Sequence, residues 1–139
     1  MSDTSAPAVQ QLTQLSQLPI SGAELERRRA ENAELIELAR PHLEWLSAAH
    51  QEFAHLVALV DRDGAVLFSL ARHLDATRTP RVPGMGAPVQ LPNGETIGAI
   101  KLHVATDGES ASRLLVIAHT AFAITQELKL RARIQARAA

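Results

Sequence analysis

The chain has 139 residues, 46% of them apolar and only 3% aromatic, with a formal net charge of −1 when its six histidines are neutral. That length suits one domain with a core of Leu, Ile, Val and Ala, and the charge balance gives no electrostatic footing for nucleic-acid binding. The absence of cysteine excludes disulfides, thiolate metal sites and cysteine nucleophiles and is in keeping with a cytoplasmic location, and no apolar run approaches the ~18 residues of a membrane span.

Residues 1–20, MSDTSAPAVQQLTQLSQLPI, lack the basic start and continuous apolar block of a signal peptide. Their Ser, Gln and Pro content reads as a flexible tail. Leu12, Leu15 and Leu18, three residues apart, would also allow a short helix that docks only on a partner. Residues 21–139 read as a single domain. Ser21 predicts a helix N-cap, with Glu24 as its capping-box partner. Over the next residues Leu25, Asn32, Leu35, Ile36 and Ala39 share a narrow apolar stripe, and Glu/Arg pairs cover the remainder. A seam of that width, carrying a polar Asn32, suits helix pairing. Pro41 either begins a second helix or kinks a continuing one. Leu43, Leu46, His50, Phe53 and Ala54 keep the helical spacing, with Trp45 beside that stripe.

The segment LVALVDRDGAVLFSL (56–70) predicts a hairpin around Asp61-Arg62-Asp63-Gly64. Gly64 would take a positive φ after a type I turn, and the two aspartates would cap the turn. Two carboxylates fall well short of the six or more oxygens a hard cation wants, so no metal is expected. Residues 71–88 read as a long loop. A second hairpin is centred on Pro92-Asn93-Gly94, where Asn-Gly predicts a type I′ corner. Gly98 inside its second strand implies a bulge or a close backbone approach. The last helix, capped by Ser110, is apolar nearly all round from Leu114 to Ile124, which predicts burial on more than one side.

The fold class expected from this order is α+β: a four-stranded antiparallel sheet of two hairpins, with N-terminal helices and a C-terminal helix packed on one face. None of the six histidines forms a metal-binding pair at helical spacing, and no nucleophile elbow, P-loop or dinucleotide fingerprint occurs. Neither a cofactor nor catalysis is expected.

Two blocks carry a family resemblance. ELERRRAENAELIELARPHLEWLSAAHQEFAHLVALVDRDGAVLF resembles the opening of the GAF sensory domains of sigma-54-dependent activators of the acetoin-catabolism type, with their "ArPxLexL" helix and "aDxdGvvL" hairpin. GAPVQLPNGETIGAIKLHVATDGESASRLLVIAHTAFAITQEL is similar to the closing portion of that family, "API.d..G..iGvLdls" and a long helix. The two together span 88 of the 139 residues. The family's middle segment, which walls its small-molecule pocket with a "GTNaIG" helix and an "EH" motif, has no counterpart here, so no binding residues transfer.

The resemblance implies a shortened, GAF/PAS-like regulatory module in signal transduction or transcription regulation, with a degenerate pocket and a role through homodimerisation and protein contact. The expected dimer interface is Leu25, Asn32, Leu35, Ile36 and Leu128, extended by Leu130 and Ile134 into a parallel helical bundle. One alternative is a sensor of an anionic metabolite, with Arg72, Arg78 and Arg81 offering planar, bidentate donors. The other is a Roadblock-like or PAS-like interaction platform.

Overall fold

The structure, a computed structural model, describes residues 9–16, 18–74, 84–105 and 110–138, with side chains from Leu12 onward and, in the last segment, from Ser112. The elements are α1 (Val9–Leu15), α2 (Gly22–Glu31), α3 (Ala33–Ala49), β1 (His55–Asp61), β2 (Val66–Arg72), β3 (Gly84–Gln90), β4 (Thr96–Val104) and α4 (Ser110–Ala138). The four strands form one antiparallel sheet in the order β2-β1-β4-β3, so the last strand lies beside the first. This is the expected α+β class, and the strand order is compatible with a GAF/PAS-like fold.

Alternation along the strands sorts the side chains into two layers. Val57 and Leu59 of β1, Ile100, Leu102 and Val104 of β4, and Ala87 and Val89 of β3 pack against Leu35, Leu38, Leu43 and Leu46 of α3 and Ile117, Ala121 and Ile124 of α4. On the opposite face Leu56, Ala58, Val60 and Val66 meet Leu12 of α1 and Leu25 of α2, with Leu15, Leu18 and Ile20 alongside. β1 is covered on both faces, and all seven of its residues are buried.

Residues 9–15 therefore differ from the expected flexible tail. The leucine period seen in the sequence is an intramolecular docking face, and Leu12 is fully buried. Ser16 fixes the end of α1, because its Oγ accepts the Val66 N–H at 2.8 Å.

The helix break falls at Asn32 rather than at Pro41. The Asn32 side chain donates to the Arg28 carbonyl at 2.7 Å and its backbone leaves helical geometry, which ends α2. Pro41 sits inside α3 on an exposed position, where the Glu37 carbonyl that loses its partner also faces outward.

Both hairpin corners have the same construction. Gly64 N–H donates to the Asp61 carbonyl at 3.0 Å, and Gly94 N–H to the Leu91 carbonyl at 2.9 Å. Both glycines have positive φ, 94° and 89°. The first matches expectation. The second is not the expected type I′ turn, which needs positive φ at both central residues. Pro92 occupies the first of them and its ring holds φ negative, so the Gly follows the turn and bulges the strand between Val89 and Gln90. At Gly98 an added Cβ would lie 2.4 Å from the Val60 carbonyl oxygen, so this glycine marks a close approach of β4 to β1.

Candidate functional site

The corner of the first hairpin is clamped from above by α2. Asp61 is buried, and its Oδ1 accepts the N–H groups of Asp63 and Ala65, both at 2.9 Å. Its Oδ2 pairs with Arg28 at 2.9 Å, and the same guanidinium nitrogen reaches Asp63 at 3.2 Å. Arg29, one residue on, donates to the Leu67 carbonyl at 3.0 Å on the outer edge of β2. Arg27 bonds Glu24 and Glu31 along α2. The Arg27 hydrogen bond, helped by Arg28, lowers the Glu24 carboxyl to about 2. An open cleft of about 370 Å³ lies here, lined by Arg27, Arg28, Arg62, Glu31, Asp61 and Asp63 with Asn32 and Ile97. Three cations face three anions, Arg62 bonding Glu95 as well, so the cleft is charge-balanced and holds the hairpin to α2.

A second hollow lies on the opposite sheet face, under Leu15 of α1. It is lined by Leu56, Ala58, Val60 and Val66, with Lys101 and His103 at its margin, and measures about 40 Å³. That is room for water, against the ~300 Å³ and more that small-molecule sites occupy. Over this part of the sheet Leu12 and Leu15 of α1 pack against the strands.

The sequence-derived site residues disperse in the structure. Arg72 ends β2 in an exposed position, whereas Arg78 and Arg81 lie outside the described residues. The proposed helix seam does not form an outer surface. Leu25 and Leu35 are interior residues of the single chain, the first between α1 and the sheet, the second under α3. A side chain already covered by its own fold has no apolar area left to offer a second copy. Asn32 is committed to the α2–α3 junction. Ile36 and Leu128 are half-buried against the main core.

Exposed apolar surface lies elsewhere, on the outer side of α4. Leu115 is 72% exposed and Phe122 59%, with Leu114, Leu130 and Ile134 also exposed. The sheet-facing side of the same helix carries the buried Ile117, Ala121 and Ile124. Thr125 accepts Gln90 N–H at 3.3 Å, and Glu127 meets His42 of α3 at 2.7 Å, so strand β3 flanks α4 on one side and α3 on the other. Trp45, 61% exposed, is three residues beyond His42 and therefore one turn along the side of α3 that faces α4. Burial of the α4 apolar segment on more than one side was expected; the sheet and α3 cover two adjoining sides, and among the described residues nothing overlies the outer one.

His50 and His55 are buried at the α3–β1 junction with ring centroids 6.3 Å apart. His50 Nδ1 meets the Leu46 carbonyl at 2.8 Å. His55 Nδ1 meets the Phe53 carbonyl at 2.9 Å, while its Nε2 meets Ser47 Oγ at 2.7 Å. Burial pushes the His55 imidazole below the usual histidine range, and both rings serve as hydrogen-bonded core groups. No helix among the described residues is long and apolar enough to cross a membrane. No protein-family model matches the chain, and no curated protein matches it significantly.

Proposed function

We propose that this protein is a non-enzymatic regulatory module that works by pairing with a second copy of itself and by protein contact, a shortened relative of GAF-like sensory domains whose ligand pocket has degenerated. The observation that carries the reading is the outward apolar side of α4, where Leu115 and Phe122 stand in solvent while the opposite side of that stretch packs Ile117, Ala121 and Ile124 into the core. Large exposed apolar patches mark interaction surfaces. The small hollow beneath α1 supports the same reading, because the chain's own leucines occupy that face of the sheet.

The size of the effect sets the conditions of the test. Covering these two side chains in each of two copies contributes about 1–2 kcal/mol per side chain, roughly 4–8 kcal/mol in all. Association entropy opposes this with an estimated 4 kcal/mol or more. The surplus is at most about 4 kcal/mol, so self-association is expected around the millimolar range. Sedimentation equilibrium between about 0.1 and 2 mM, a range matched to affinities of that order, is expected to show a concentration-dependent dimer. The double variant Leu115→Glu, Phe122→Glu is expected to sediment as a monomer with an unchanged circular dichroism spectrum, because neither residue supports the core. A wild-type monomer across the whole range would end this reading.

A further inference from the structure

Charge is distributed unevenly along α4. From Ser112 to Gln126 the one charged residue is Arg113, and its guanidinium is turned toward Phe53, 5.7 Å from the ring centroid. Beyond Glu127 the helix becomes basic. Lys129, Arg133 and Arg137 recur every fourth residue, and residues 128–139 contain no acid. Leu115 and Phe122 are seven residues apart, two helical turns, and so project from one line along the outer side. Ala118 and His119 lie exposed between them.

We infer that two copies of the chain pair through this face with their α4 helices antiparallel, crossing at Ala118. The inference rests on the pairing proposed above and adds its orientation and register. A parallel pair would set Lys129, Arg133 and Arg137 each against its own copy, and like charges juxtaposed across an interface are disfavoured. An antiparallel pair brings together only the uncharged halves. In the register that seats Leu115 of each copy on Phe122 of the other, the two-fold axis passes between positions 118 and 119. The interface is then self-complementary, as a closed dimer requires. The small Ala118 lets the helices approach at the crossing. The two Arg133 side chains end roughly 40 Å apart, at 1.5 Å of rise per residue, with each basic half pointing away from the other.

The absence of cysteine makes the test clean. Single variants Ala118→Cys and Arg133→Cys, both at exposed positions, are oxidised with copper phenanthroline and run on non-reducing gels beside sedimentation of the wild type. A disulfide needs Cα atoms within about 7 Å. Ala118→Cys is expected to convert to a linked dimer, and Arg133→Cys to stay a monomer. Linkage of Arg133→Cys at a comparable rate would show a parallel pair and overturn the inference while leaving pairing intact. A wild type that dimerises while neither variant links would place the interface on another surface, with the same consequence. A monomeric wild type would remove both the inference and the reading beneath it.

Discussion

Asp61 shows how one side chain ties local turn chemistry to tertiary structure. Its first oxygen organises the hairpin corner and its second takes the Arg28 guanidinium, so a buried carboxylate has its charge balanced and its lone pairs used. Arg28→Ala leaves that carboxylate with its backbone donors alone. Hydrogen bonds to charged groups contribute about 1.5–3 kcal/mol, and partial exposure of Arg28 favours the lower end, so a loss of about 2 kcal/mol is expected in urea denaturation. A double-mutant cycle with Asp61→Asn should recover a coupling of similar size; independent, additive losses would show the clamp to be incidental. His55 gives a pH-dependent counterpart. Burial holds its folded-state protonation below that of the unfolded chain, so stability is full above about pH 6.5, the unfolded value. It declines as pH falls from there toward the depressed folded value. The ring is expected to titrate below 6.5 by NMR, and His55→Gln to flatten the fall in stability between about pH 7.5 and 5.5. A midpoint at or above 6.5 would contradict this. In the sequence the hairpin corner was legible, since Asp and Gly at those spacings have local turn roles. The Arg28 partnership was not, because it joins residues 33 apart.

At the scale of elements, α1 is the least obvious part of the fold. Its seven residues carry no charge, and it is too short to persist alone. It exists because Leu12 finds the apolar floor of Leu56, Val60 and Val66 and because Ser16 caps the β2 edge. Arg29 occupies that same edge through the Leu67 carbonyl, so β2 is guarded by side chains from the end of α1 and from α2. Leu12→Ala is expected to destabilise by about 2 kcal/mol, the low end for a buried leucine near the periphery. It should also speed amide exchange at Val66 as α1 loosens. Unchanged exchange at Val66 would show that α1 does not hold this edge. The boundary between α2 and α3 follows the same logic. Asn32 and Pro41 both carry helix-breaking chemistry, and only the packing of α3 along the core decided that Asn32 ends a helix while Pro41 is tolerated within one.

For the whole molecule, a four-stranded sheet has two faces and the chain covers them unequally. α3 and α4 fill one; α1 and the segment through Ile20 shield the β1–β2 half of the other. Among the described residues, what remains apolar and open is the outer side of α4, with Trp45 on α3. Trp45, the single tryptophan, lies on the α4 side of the neighbouring helix and reports on cover placed there. Its emission is expected to shift to shorter wavelength as concentration rises through the dimerisation range, and to stay constant in the Leu115→Glu, Phe122→Glu variant. A wild-type spectrum independent of concentration, with a dimer present by sedimentation, would put the contact away from α3.

The sequence alone determined the class of fold, the chain order of the four strands and the last helix, both corner positions and the close approach at Gly98, because each rests on periodicity or on backbone chemistry within a few residues; α1 and the helix break at Asn32 were not among them. It did not determine which apolar side chains would be hidden. Leu25 and Leu35 form a plausible pairing seam on paper and are core in the folded chain, while Leu115 and Phe122 belong to the most apolar stretch of the sequence and face outward. Periodicity reports that a stripe is apolar but not from which direction it is covered. That depends on how many layers the chain can fold over each element, and only the tertiary structure, with its single sheet, sets that number.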